Sequence, residues 1–377
     1  MLMSLAHLPR QSILNDRHRA NGADLDSVSW NNMPLPQTYQ TDPYFETEAV
    51  RNRAGLFDVS SLQIINVSGP DAQKLLNYML TSDLSKAKPG DSHISNIVNE
   101  NGGLIDDVLV YVDSPTEFRL SHGAGKLEEV LFSLAPKYDV KVEKDDDVHI
   151  LALQGPLSLE ILAPHTPMDL AGLGYFKHEP TTLFGTPVRL ARGGYSAERG
   201  YEVFCKASDA HKMWDSILEA GKDKGLIPVS WACLDIVRVE GGLLFFPYEM
   251  SNEDTTPWEV RADWTVDLSK PDFIGKKALE EKKGKERSFV TGLEVDTDRA
   301  IEPGAKITVD GKEVGVVTST TYSKYLMKSL AMAQVEPAYT KLGTQLVVHD
   351  KGDFPATVVR MPFYDPLRLR THPREAA

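Results

Sequence analysis

Ile65-Asn66-Val67-Ser68-Gly69-Pro70 is answered 86 positions later by Leu151-Ala152-Leu153-Gln154-Gly155-Pro156. Each copy is an apolar strand pattern closed by Gly-Pro and followed by a leucine-rich helical run, Ala72 to Leu80 in the first and Leu157 to Leu162 in the second. Proline suits the first helical turn, where its missing N–H is no loss. A period this long is not that of a solenoid. The repeat predicts two related α+β subdomains, against the alternative that so short a unit recurs by coincidence.

Between the copies lies Asn99-Glu100-Asn101-Gly102-Gly103-Leu104-Ile105-Asp106-Asp107, running into the apolar Val108 to Val112. Asn-Gly-Gly supplies the positive φ that a reversal needs, and the run after the acids reads as a buried strand. Adjacent carboxylates on a strand point to opposite faces, so one of them, Asp106 or Asp107, should face inward. Such an acid either caps turn amides or serves chemistry.

Working outward, Gly55 to Val59 and Leu62 to Val67 read as strands, as does Phe118 to Leu120, with a helix from about Lys126 to Leu134. Asp145-Asp146-Asp147 reads as a solvated turn, and nothing after it resembles a calcium loop. Past the second copy come Val188 to Leu190, the strand Gly200 to Phe204 and an amphipathic helix, His211 to Gly221. Residues 1 to 50 carry little periodicity apart from the turn Trp30 to Pro36, which either plugs a core or lines a pocket. Glu280 to Arg287, EEKKGKER, reads as a linker. From Ser288 the chain alternates in short β runs with a strong hairpin turn at Asp310-Gly311, which predicts a small β-barrel or sandwich.

A chain of 377 residues allows two or three domains. A formal charge of −13 and a pI near 5.3 argue against a nucleic-acid partner. No apolar run approaches the ~20 residues of a membrane span. The first residues lack the continuous apolar core of a signal peptide, while Arg10, Arg17 and Arg19 leave a mitochondrial presequence as the alternative to a cytoplasmic location. Two cysteines, Cys205 and Cys233, indicate no disulfide framework, and the histidines form no ligand pair, so no metal site is expected.

The other chemical motif is Gly193 to Glu202, GGYSAERGYE. Glu202, between Tyr201 and Val203 in an apolar strand, should point opposite to both. An inward carboxylate needs donors: the paired N–H groups of a 2-amino-4-oxo pyrimidine edge satisfy it, and so does Arg238 in an internal salt bridge. No dinucleotide fingerprint, P-loop or nucleophile elbow is present, so covalent catalysis is not favoured.

The blocks AVRNRAGLFDVSSLQ, NENGGLIDDVLVY, LALQGP, GGYSAERGYEV, DIVRVEGGL, FIGKKAL, GVVTS and RMPFYDP fall in order over roughly residues 45 to 365. Together they resemble the glycine-cleavage T-protein family of tetrahydrofolate-dependent aminomethyltransferases, whose superfamily also holds folate-dependent demethylases. The resemblance implies an α+β, three-domain cloverleaf: two related α+β subdomains around a central folate channel (about 1–50 with 145–280, and 51–144), plus a C-terminal barrel over 288–370. It implies Asp106 as the catalytic carboxylate, Glu202 as the acid gripping the pterin, and Tyr195, Arg238 and Tyr248 near the folate. Asp106 would orient N5 of the folate and assist removal of its proton.

Three departures fall where the one-carbon donor should enter. Ser61 stands where the family pattern has histidine, Ile94 where it has tyrosine, and Ser29-Trp30-Asn31-Asn32-Met33-Pro34 where it has Gly-Trp-x-Met-Pro. Trp30, Met33, Ser61 and Ile94 are therefore candidate channel residues. The leading expectation is aminomethyl transfer from a lipoyl carrier protein to tetrahydrofolate. The alternative is a demethylase passing a methyl group from a small S-, N- or O-methyl compound to give 5-methyltetrahydrofolate. A further alternative is a folate-binding protein without turnover.

Overall fold

The computed structural model describes residues 10–250 and 252–372; the question of a leader falls largely on residues 1–9, outside that range. Within it the chain divides into two units. The first is built from residues 10–65, 144–234 and 370–372, the second from 66–143 and 235–369.

The predicted repeat is present in the backbone. One copy runs strand Gln63–Ser68, helix Ala72–Met79, strands Ser92–Val98, Leu104–Ser114 and Glu117–His122, helix Leu127–Leu134, strand Lys141–Asp145. The other runs strand Val148–Gln154, helix Ser158–Leu162, strands His178–Leu183, Thr186–Arg192 and Gly200–Lys206, helix Ala207–Gly221, strand Ile227–Pro228. The turn glycines match as well: φ is +135° at Gly69 and +132° at Gly155. A Cβ at Gly69 would lie 2.4 Å from the Asp139 carbonyl oxygen, and one at Gly155 would lie 2.6 Å from that of Arg53. Only glycine satisfies both conditions.

In the first unit the sheet order is His178–Leu183, Thr186–Arg192, Gly200–Lys206, Val148–Gln154, Gly55–Asp58, Ile227–Pro228. One face of this sheet presents Tyr201, Val203, Leu151, Leu153 and Leu190 to Met213, Trp214 and Ile217 of the long helix, all buried. The second unit's sheet runs Ser92–Val98, Leu104–Ser114, Glu117–His122, Gln63–Ser68, Lys141–Asp145. There too one face is wholly buried, with Val108, Val110, Val112 and Leu120 beneath the two helices.

The all-β prediction resolves as a closed six-stranded barrel: Phe289–Val295, Lys328–Val335, Lys312–Ser323, Lys306–Val309, Gln345–His349, Asp353–Val359. Asp310 and Gly311 take φ of +50° and +79° at its tight turn, the mirror-image turn that matches strand twist. An α+β chain with a C-terminal six-stranded barrel is therefore the architecture.

Two sequence expectations change. The segment read as a linker begins in a helix, Lys276–Lys282, because Glu280, Glu281 and Lys282 are good helix formers; Arg287 is fixed by Glu259 at 2.9 Å. The aperiodic first fifty residues contain two helices, Asn15–Ala20 and Pro43–Asn52. The second has an Asp42 side chain accepting from the Tyr44 amide, with proline at its first position.

The chain's far end returns to the first unit. Arg370 Nε donates to Glu198 at 3.0 Å, and Glu198 also meets the buried Arg51 at 3.3 Å.

Candidate functional site

The strand Leu104–Ser114 decides where the paired acids point. A β-bulge at Ile105, opposite the step from Ile97 to Val98, precedes them, and bulges re-aim the side chains beside them. Asp106 then stands opposite Ile97, and Asp107 opposite Asn96.

Asp106 faces the helix-covered side and is fully buried. Its Oδ2 accepts from the Leu127 amide at 2.8 Å, at the start of the helix Leu127–Leu134, and from His122 Nδ1 at 3.1 Å. Its Oδ1 has no hydrogen-bond partner. A Cβ on Gly125 would fall 2.2 Å from the Asp106 carboxyl carbon, so glycine there makes room for the acid. Asp106 thus performs the capping role that its inward position allows. The resemblance implied a catalytic role for this same acid.

Asp107 faces the other way and keeps some solvent contact. By register its face also carries Asn96, Ile94, Leu109 and Ser121. Burial, and then the adjacent charge of Asp106, push the Asp107 carboxyl up to about 7. A carboxylic acid that gains and loses a proton near neutrality is suited to general acid–base work. The sequence placed Ile94 at the channel; the structure puts it on Asp107's face. The residue-by-residue reading did not single out Asp107, since a one-residue choice on a strand flips the face.

In the first unit Glu202 lies on the sheet face opposite Tyr201 and Val203, as the alternation required, and is half-buried. Its cross-strand neighbours are Ala191 and Ala152. Both alanines are small and buried. Tyr195 is half-buried in the loop before this strand. Ser61 is buried, its carbonyl oxygen accepting from Arg10 Nη1 at 2.9 Å and Asn31 Nδ2 at 2.8 Å. Met33 is buried in a two-residue hairpin whose turn residues, Asn31 and Asn32, have φ of +50° and +58°. Trp30 packs at 5.4 Å from the Trp231 ring.

In the second unit Arg238 is buried, with Nε donating to Asp235 at 2.8 Å and Nη1 lying 3.7 Å from Glu249. Its guanidinium carbon sits 5.6 Å from the Phe245 ring centre and 5.7 Å from that of Tyr248. The two rings stand 5.0 Å apart, and Tyr248 is 52% exposed. The two rings are tilted 36° to one another, and a cation beside both is attracted to each. Among the described residues, no group of three or more His, Cys, Asp or Glu side chains is placed to hold a metal ion. Among the same residues no helix is long and apolar enough to cross a membrane.

Residues 14–270 match the GCVT N-terminal domain, and residues 289–365 match the glycine cleavage T-protein C-terminal barrel domain. The chain belongs to the glycine cleavage T-protein family. Within that family it is 42% identical over 370 residues to the heme-dependent oxidative N-demethylase gamma subunit of Ectopseudomonas mendocina, covering 96% of this chain and 98% of that one. It is 36% identical over 366 residues to an aminomethyltransferase of Streptomyces coelicolor, with 94% and 97% covered. Its fold superposes on the glycine cleavage system aminomethyltransferase T of Bartonella henselae with a TM-score of 0.87, at 27% identity, covering 95% of this chain and 99% of that one. The T-protein family is one of folate-dependent one-carbon transferases and demethylases, and membership carries that general chemistry with it.

Proposed function

We propose that this chain is a tetrahydrofolate-dependent demethylase: it receives the one-carbon unit of an N-methyl donor and joins it to the folate. The observation that carries the choice of donor is the near full-length 42% identity to a subunit named for oxidative N-demethylation, against 36% to an aminomethyltransferase. Ser61, Ile94 and the Ser29 to Pro34 hairpin support it, because the sequence leaves the aminomethyltransferase pattern there.

In oxidative N-demethylation two electrons and a proton leave the N-methyl group for an oxidant and base held by a partner subunit. Water adds to the iminium carbon so formed, the C–N bond breaks, the secondary amine departs with a proton, and the carbon is released as formaldehyde. Its union with tetrahydrofolate expels one water and gives 5,10-methylenetetrahydrofolate. Tetrahydrofolate supplies the nucleophilic nitrogens; the protein supplies position and proton traffic. The residues present suit such a ligand. Glu202 is an acceptor-only carboxylate matched to paired N–H donors, and its cross-strand neighbours are the small Ala152 and Ala191. Tyr195 contributes to the same binding role, and Tyr248 over Arg238 offers an aromatic face for stacking. Asp107 takes the acid–base role first assigned to Asp106: protonated, it gives a proton to the departing oxygen; ionised, it accepts the proton released from nitrogen.

The test is to incubate the protein with tetrahydrofolate and, separately, formaldehyde, a methylated quaternary amine, or an aminomethylated lipoyl carrier, and to identify the folate formed. Methylenetetrahydrofolate from formaldehyde, made faster than in the protein's absence and lost in Asp107→Asn, is the expected result. Product from the lipoyl carrier alone would overturn the reading and restore aminomethyl transfer. 5-Methyltetrahydrofolate from the quaternary amine would replace oxidation with direct methyl transfer.

A further inference from the structure

His122 is the last residue of the strand Glu117–His122, and nothing in the proposed chemistry uses it. It is buried on the helix-covered face of the second unit's sheet, with Nδ1 at 3.1 Å from Asp106 and Nε2 at 3.9 Å from Glu128. Nε2 makes no hydrogen bond. A neutral imidazole so placed would bury an unsatisfied nitrogen between two acids; an imidazolium meets a carboxylate at each nitrogen. Burial opposes the charge, but Asp106 and Glu128 outweigh it and raise His122 to about 9.

The surrounding charges are few. The helix Leu127–Leu134 brings Glu128 and Glu129, and Lys126 before it is paired with Glu253 at 2.6 Å. The strand Ser92–Val98 opposes Asp107 with the neutral Asn96 and carries His93 further along, 3.9 Å from Asp91. Asp106 and Asp107 are consecutive on one strand, so whatever charge sits behind Asp106 is felt at Asp107 through a thin, poorly polarisable layer.

We propose that His122 is a positioning residue: its imidazolium, behind the sheet, balances the Asp106 carboxylate so that Asp107, on the open face, can exchange a proton at neutral pH. The proposal rests on Asp107 being the working carboxyl. Two neighbouring acids on opposite faces, without a counter-charge, would feel each other's charge and titrate as a coupled pair. His122 separates their roles: one acid permanently occupied in structure, the other left to titrate.

The experiment is a pH titration of the Asp107 side-chain carboxyl, followed by carbon NMR in the full chain. His122→Asn keeps a donor in the Nδ1 position but removes the charge, and Asp107 should then hold its proton more tightly, its midpoint rising by about one pH unit. Asp106→Asn removes the neighbouring negative charge, and the midpoint should fall. Glu128→Gln, at the partly exposed start of the helix, is the variant least able to disturb folding. It should lower the His122 midpoint, a change visible in the imidazole resonances. An Asp107 midpoint that is unmoved or lower in His122→Asn, or an unmoved His122 midpoint in Glu128→Gln, overturns the proposal. These shifts are read without turnover, so they stand apart from the loss of activity in Asp107→Asn that tests the proposed function.

Discussion

Replacing Asp107 by asparagine should make the protein more stable, and increasingly so as pH rises. The carboxyl moves from an ordinary 3.8 to about 7 in the folded chain. Between those values the folded state holds a proton that the unfolded state has released. Stability therefore falls as pH rises from about 4 to about 7, then levels off. Asparagine has the same shape and no such slope. Three pH units correspond to about 4 kcal/mol at ~1.4 kcal/mol per unit. Asp107 keeps some solvent contact, and halving that figure for screening leaves about 2 kcal/mol at pH 8. For a unit of this size the gain is roughly 4–8 °C in Tm. Calorimetry of both proteins at pH 5 and pH 8 reads it directly: the gap should widen by about 1–1.5 kcal/mol between the two. His122 contributes its own slope, present below about 6.5 and lost as pH rises through about 9, but it is common to both proteins and cancels in the comparison. Parallel curves at the two pH values, or a variant less stable at pH 8, would refute the reasoning. The same substitution should cost turnover about 10²–10⁴-fold, the usual scale for a lost acid–base group.

Glu202→Ala should weaken tetrahydrofolate binding about 10- to 100-fold by calorimetric titration, the scale of a lost charged hydrogen-bond acceptor; unchanged affinity rejects the assigned grip. Gly155→Ala should cost about 2 kcal/mol or more in denaturant unfolding, since φ is +132° and the Arg53 carbonyl blocks the Cβ. Gly69→Ala should behave alike, and tolerance at either position would undo the account of the turn. Asp58 is buried, yet hydrogen bonds from His18 at 2.9 Å, Ser60 and Ser12 outweigh that burial and hold its carboxyl well below the usual range. Asp58→Ala should cost about 3 kcal/mol at neutral pH. That contribution is present above about pH 4 and lost as pH falls further, so the deficit shrinks in acid; a deficit independent of pH would point to packing alone.

Much of the fold could be read from spacing. The Gly-Pro repeat located two copies of one topology because the φ that Gly69 and Gly155 adopt is open to glycine and little else. The barrel strands announced themselves by alternation and by Asp310-Gly311. Glu202 was legible because strict period-2 geometry puts it opposite Tyr201 and Val203. Asp107 was not, since the bulge at Ile105 lies in the pairing of two strands, which a single stretch of sequence does not display. His122 was hidden for a similar reason: it meets Asp106 only through the hairpin between Leu104–Ser114 and Glu117–His122. The early helix Pro43–Asn52 did carry a local signal, Asp42-Pro43, which weak periodicity concealed.

Arg370 completes the ionic cluster around Glu198 in a unit whose residues, apart from 370–372, all precede position 235. A nascent chain therefore makes that unit's sheet long before it makes the last cation. Until synthesis is nearly over, Glu198 has Arg51 but lacks Arg370, and the neighbouring loop bearing Tyr195 is held by fewer ties. Ribosome-bound chains arrested before residue 370 should expose that loop to proteases, whereas released chains should protect it.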